Sequence, residues 1–185
     1  MPDQRDQAGE VLAFWFVETQ PHHWFAKDAA FDGLVRDRFF GLTRQALAGE
    51  LDAWGAEAAR SLALVLLLDQ FPRQIWRDTA MAFAGDPQAS ALSLRAVERG
   101  WLEAEPEQAR RQFLLMPLMH SEDLAVQEAA LPLFERFADP STADFARRHR
   151  DVIARFGRFP HRNGALGRVT SAEELTFLQT PGSRF

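Results

Sequence analysis

The sequence predicts an all-α fold, and three observations carry that prediction. Apolar residues recur at helical spacing along most of the chain. No stretch alternates with period two under a β-branched composition, and helix-starting and helix-stopping residues separate one apolar stripe from the next. Gly9 to Glu18 places Val11, Leu12, Trp15 and Phe16 on one face, and Gln20-Pro21 ends that helix. Asp28 caps a longer one, whose stripe is Phe31, Leu34, Val35, Phe39, Leu42 and Ala46, stopped near Gly49. Trp54-Gly55 opens a third. Its middle, Leu62 to Leu68, is apolar all round, as in a helix buried at the centre of a protein.

Asp86-Pro87 reads as an N-cap followed by proline at the first helical position, with Gly100 as the stop after Arg99. Pro106 starts the next helix, which contains Phe113, Leu114 and Met116 and is kinked by Pro117. Ser121-Glu122-Asp123 supplies a cap and first-turn acids for a helix reaching Phe137. Asp139-Pro140-Ser141 begins another, from about Thr142 to Phe156, and Thr170-Ser171-Ala172-Glu173-Glu174 offers a capping box for a short last helix. Seven or eight helices with short links imply antiparallel hairpins in a single domain over residues 1–185, as a compact bundle or a stacked array. No repeating consensus, linker or low-complexity tract divides it.

Composition narrows the function. A chain of 185 residues that is 46% apolar can bury a sizeable core, which excludes disorder. A net charge of −5 argues against a nucleic-acid partner, which needs a basic face. With no cysteine, thiolate catalysis, disulfides and cysteine-based zinc sites are excluded. The polar start, Met1-Pro2-Asp3-Gln4-Arg5-Asp6, lacks the apolar core of a signal peptide. Leu62 to Leu68 falls far short of the ~20 residues that cross a bilayer, so a soluble, cytoplasmic protein with no membrane partner is expected. Lys27 is the only lysine. Nearly all positive charge is arginine, which suits internal ion pairs or anion sites, because its planar fork binds carboxylates and phosphates bidentately.

The chemistry-bearing residues gather in a few places. Leu62, Leu66, Asp69, Arg73 and Arg77 share one helical face, so Asp69 continues a buried stripe and needs a partner, with Arg73 at hand. That pair either locks the helix end or orients Arg73 and Arg77 toward a ligand. His149 lies among Phe145, Val152, Ile153 and Phe156, as a core imidazole or a pocket wall. His120 ends an apolar run and precedes Ser121 and Glu122; it is either a helix-end histidine or half of an acid/base pair. From Arg147 to Arg168 seven arginines face a single acid, Asp151, within a stretch that includes the Gly- and Pro-containing loop Phe156 to Arg168. Those arginines either meet acids from elsewhere in the chain or hold an anion. Phe71-Pro72-Arg73 and Phe159-Pro160-His161-Arg162 each place an arginine just beyond a Phe-Pro turn, which hints at a shared site.

Other chemistries fit poorly. His120, Glu122, His149 and His161 are metal-ligand types, yet they come from separate segments with no His-x-x-x-His spacing, and His22-His23 point apart on any regular element. No Gly-x-Ser-x-Gly elbow and no phosphate-loop or dinucleotide fingerprint is present. No metal and no cofactor is expected.

Several motifs in order carry a family resemblance. They are Leu67-Leu68-Asp69-Gln70-Phe71-Pro72-Arg73 with Arg77, Ala82-Phe83-Ala84 with Asp86, Arg111-x-Phe113, and Met116-Pro117-Leu118-Met119-His120-Ser121-Glu122. His149, Phe156-Gly157-Arg158-Phe159-Pro160-His161-Arg162-Asn163, Leu166-Gly167-Arg168 and Glu174 complete the set. Over nearly the whole chain this resembles the domain of unknown function 924 family. The resemblance implies an all-α fold similar to tetratricopeptide repeats and brings no established reaction or ligand.

One candidate site follows. His120, Glu122 and His161 are its acid/base groups, and Asp69, Arg73, Arg77, His149, Arg158, Arg162, Asn163 and Arg168 hold a small anionic metabolite, with hydrolysis or group transfer as the natural reaction class. The alternative is a non-enzymatic module that binds a peptide or protein along a helical groove through Trp24, Phe25, Trp76 or Trp101. Oligomeric state is not encoded in any of these features.

Overall fold

In the computed structural model, which describes residues 4–185, all regular structure among the described residues is helical. The α-helices are α1 (Gln4–Ala13), α2 (Ala29–Leu47), α3 (Ala58–Val65), α4 (Phe71–Ile75) and α5 (Asp86–Glu98), then α6 (Trp101–Ala104), α7 (Gln108–Met119), α8 (Leu124–Phe137), α9 (Pro140–Phe156) and α10 (Ala172–Leu178). Met1-Pro2-Asp3, half of the polar start, lies outside the described residues. No helix among them is long and apolar enough to cross a membrane.

Leu62 to Leu68 form the axis. They run from α3 into a π-helical turn, Leu66–Gln70, and none is more than 2% exposed. Burying such side chains contributes about 1.5–3 kcal/mol each, which explains why the most apolar segment takes the centre. α1, α5 and α7 pack around α3, α2 lies along α4, and α7, α8 and α9 stack in succession. A smaller cluster of Val152, Ile153 and Phe159, with Phe156, Leu124 and Phe177 against it, joins α9 to the loop and α10.

The caps fall where local chemistry puts them. Asp28 accepts from the amides of Ala30 and Phe31, Asp123 from Ala125, and Asp139 from Thr142; Ser171 and Glu174 form a reciprocal capping box. Gly157 ends α9 with φ +68°, a conformation glycine adopts without strain.

Several boundaries differ from the pattern-based reading. A second π-helical turn, Phe14–Glu18, follows α1 and rotates its apolar face, so Phe14 is buried and Phe16 only partly so. On α2 the buried stripe is Phe31, Val35, Phe39, Thr43 and Ala46, while Leu34 is 46% exposed. Trp54 and Gly55 belong to a 3₁₀ turn, Asp52–Ala56, ahead of α3, and Pro106 precedes α7. His22 and His23 do not diverge. Their 3₁₀ turn, Pro21–His23, brings the ring centroids within 4.1 Å.

Asp86 is the most consequential difference. Gly85 holds the N-cap position of α5, and Asp86 is the first helical residue, its carboxylate turned elsewhere. Gly85 packs directly on the backbone of the π-helical turn. A Cβ there would stand 2.2 Å from the Leu68 carbonyl oxygen, so a larger residue requires the two segments to separate.

Candidate functional site

The widened turn at Leu66–Gln70 ends the central helix at the wall of a cavity of about 240 Å³. Asp69, fully buried, sits behind that wall. Its Oδ1 lies 2.7 Å from His120 Nδ1, and its Oδ2 accepts from Gln70 Nε2 at 2.5 Å. Burial alone would raise the Asp69 pKa, but the charges and hydrogen bonds of His120, Arg73 and Gln70 outweigh it and hold the carboxyl well below the usual range. Burial lowers the His120 pKa, against the pull of Asp69. In its neutral form the imidazole facing this carboxylate carries its hydrogen on Nδ1, which leaves the Nε2 lone pair available. Among the described residues Nε2 has no hydrogen-bond partner, and His120 lines the cavity.

Two arginines flank this pair and share one carboxylate. Arg73 donates to both oxygens of Asp86, at 2.8 and 3.0 Å, and to the Asp69 carbonyl at 2.6 Å. Arg162 donates to Asp86 Oδ2 and to the His120 carbonyl, each at 3.0 Å. The Phe83 and Phe159 rings lie 4.6 Å from the Arg162 guanidinium carbon. Its Nε is buried with no partner. Burial and the neighbouring Arg73 lower the Arg162 pKa to about 10, so it stays charged at neutral pH. The two Phe-Pro-linked arginines thus converge on Asp86. The expected Asp69–Arg73 pair is secondary: 3.5 Å separates Arg73 NH1 from Asp69 Oδ1.

Two more imidazoles complete the wall. His149 Nδ1 lies 2.7 Å from the Phe145 carbonyl, which accepts its hydrogen, and the ring stacks on Phe185 with centroids 3.8 Å apart. Burial pushes its pKa well below the ordinary value. His161 is lowered to about 3, first by burial and then by Arg162 and Arg73, and its Nδ1 is buried without a partner. Both rings are therefore neutral. Arg77 reaches the cavity too, held bidentately by Asp32 at 2.7 and 2.6 Å.

Four of the expected site residues lie elsewhere. Glu122 accepts two bonds from Arg168, at 2.8 and 3.0 Å, and one from the Phe159 amide at 2.7 Å. Those bonds outweigh the effect of burial and lower its pKa. Arg168 also donates to Asn163 Oδ1 at 3.0 Å, and Asn163 donates to Glu174 at 3.3 Å. Arg158 binds Glu174 with two bonds, at 2.7 and 2.9 Å. Glu122, Arg158, Asn163 and Arg168 thus staple the loop to α10 and to the segment before α8, and none lines the cavity. The acids that meet these arginines are Glu122 and Glu174.

Other residues of the site escaped the sequence reading: Gln70, Gln74, Phe83 and Lys27, which line the cavity, and Asp86, taken for a cap, which stands behind Arg73 and Arg162. Two glutamines four apart at the end of the most apolar helix were the available signal. Of the aromatics proposed for a partner surface, Trp24, Trp76 and Trp101 pack against the core and Phe25 is exposed. Trp24 also donates its indole N–H to the Trp15 carbonyl.

Fold and site together define an all-helical protein with a guanidinium- and imidazole-lined cavity at the end of its central helix. The chain belongs to the family described as "Bacterial protein of unknown function (DUF924)", whose profile matches residues 11–182. It is similar to the solved structure of a protein of unknown function, ATU0120, from Agrobacterium tumefaciens. The two are 43% identical, with a TM-score of 0.89, over 96% of this chain and 99% of that one. Among curated proteins, none matches.

Proposed function

We propose that the cavity binds a small anionic metabolite and that His120 exchanges a proton with it in a hydrolytic or group-transfer step. The order of charges from the cavity outward supports this reading. Lys27, Arg73, Arg77, Arg162 and Arg184 line it, with Asp78 as the one acidic side chain among the described lining residues, while Asp32, Asp69 and Asp86 stand behind the cations. Ion pairs oriented this way turn their positive ends inward and leave a positive potential where a ligand would sit. Arg73 and Arg162 meet the anion, and Lys27 and Arg184, exposed, draw it in. The His120 Nε2 lone pair takes a proton from water or a substrate hydroxyl, and Asp69 stabilises the imidazolium that forms. His149 and His161 remain neutral and offer hydrogen bonds rather than charge.

Thermal unfolding in the presence of inorganic phosphate, citrate and benzoate tests this. Saturating anion raises Tm by roughly 5–10 °C, the equivalent of about 2.7 kcal/mol at a hundredfold excess over Kd. Lys27→Ala combined with Arg184→Ala weakens the response without unfolding the protein. Identical curves with and without every anion would sink the proposal.

A further inference from the structure

We infer that the anion taken by this cavity carries a planar amide-type edge, a lactam or carboxamide with donor and acceptor side by side, and that Gln74 reads that edge. The inference rests on the anion-binding reading above and specifies the ligand class.

Gln74 lies on α4, one turn beyond Gln70, and both line the cavity. It is 5% exposed, it makes no hydrogen bond to the protein, and its Oε1 is buried without a partner. Exchanging the oxygen and nitrogen of the amide leaves an unpaired end all the same. Leucine or methionine would fill this volume without burying unpaired polar atoms, so the carboxamide is a cost to the empty fold. Gln70 donates to Asp69 and to the Met116 sulfur, and its own Oε1 has no donor.

The anionic end of a ligand cannot satisfy these oxygens. A carboxylate or phosphate only accepts, so placing it against two carboxamide oxygens is repulsive. They call for a donor, and a ligand N–H supplies one. An amide with both ends unpaired is matched by a second amide, which supplies one donor and one acceptor in a plane. Trp24, Phe25, Phe83 and Met116 give the same cavity flat or pliable apolar walls, suited to the faces of a planar group. At about 240 Å³ the cavity lies below the ~300–1,000 Å³ of drug-sized sites, which favours a ligand of one ring.

Calorimetric titration of the full chain with three probes tests the inference. Orotate has a ring, a carboxylate and a lactam edge, benzoate lacks the lactam, and uracil lacks the anion. Orotate is expected to bind at least about tenfold more tightly than benzoate, because a site built to pair a polar edge rejects the analogue lacking it. In Gln74→Leu that preference falls to about twofold or less while benzoate affinity stays unchanged. Gln74→Met serves the same purpose should the leucine variant fail to fold. Equal affinity for orotate and benzoate in the wild type overturns the inference and leaves anion binding intact. If uracil matches orotate, or neither acid nor inorganic phosphate binds, the anion reading fails and the inference with it.

Discussion

The Phe156 to Arg168 loop feeds two networks made from the same residue types, one from its ends and one from its middle. In the staple, Arg168 binds both oxygens of Glu122, Asn163 and the Phe159 carbonyl, while Arg158 binds both oxygens of Glu174 and the Val169 carbonyl. In the cavity, Arg162 Nε, His161 Nδ1 and Gln74 Oε1 are buried without partners, and His120 Nε2 is open. Buried polar groups in native proteins are nearly always paired. A network that exhausts its donors serves the architecture, whereas the three unfilled valences on residues that share the cavity are what the proposed ligand would complete. Arginine count alone does not separate the two cases; partner count does.

Removing Glu122 strikes the staple hardest. Glu122→Ala strands a partly buried guanidinium and the Phe159 amide, and its cost is about 2–3 kcal/mol, below that of a fully buried pair because Glu122 is 28% exposed. The urea midpoint measures it, and the protein that remains folded keeps its response to anions. A loss under about 0.5 kcal/mol would falsify the structural role.

Acid separates the networks next. The folded-state pKa of His161, about 3, lies below the ordinary 6.5, so the unfolded chain binds the extra proton first. Its contribution is complete above about pH 6.5 and is lost as pH falls toward 3, with a slope of up to about 1.4 kcal/mol per pH unit. Glu174, held at about 2 first by its Arg158 hydrogen bonds, destabilises the fold only as pH falls from about 4.5. Stability measured across this range therefore declines in two stages, cavity before staple. His149 and His120, also lowered by burial, add to the first stage, so His161→Phe shrinks it without abolishing it; an unchanged profile in that variant means the His161 imidazole is not a source.

The smallest effect on the fold belongs to the cavity mouth. Lys27→Ala with Arg184→Ala alters stability by no more than about 0.5 kcal/mol, since both are exposed and neither forms an ion pair among the described residues. Anion affinity falls severalfold and loses part of its salt dependence, as titrations at low and high ionic strength would register. If stability drops instead and affinity holds, the two regions have been assigned the wrong way round.

Much of this was legible because it is local. Asp28, Asp139 and the Ser171/Glu174 box cap helices through residues two or three positions away, and the Leu62 to Leu68 run has one place to go. The misreadings have long-range causes. Asp86 resembles a cap in its own neighbourhood, yet its carboxylate is held by Arg73 and by Arg162, seventy-six positions on. Arg158 and Arg162 look equivalent four residues apart, and the acids they meet decide their different roles. The π-helical turns add a residue to a helical repeat, which shifts Phe14 and Phe16 out of the expected stripe with no local sequence signature.

The contact between Gly85 and the Leu68 carbonyl bears on how the site keeps its shape when empty. It sets the start of α5 against the turn that carries Asp69, backbone on backbone, and so adds a steric constraint on the spacing of Asp69 and Asp86 to the bridge that Arg73 makes between them. The two acids form a frame on which Arg73 and Arg162 are held by hydrogen bonds. The cavity is thus preorganised by a missing methyl group.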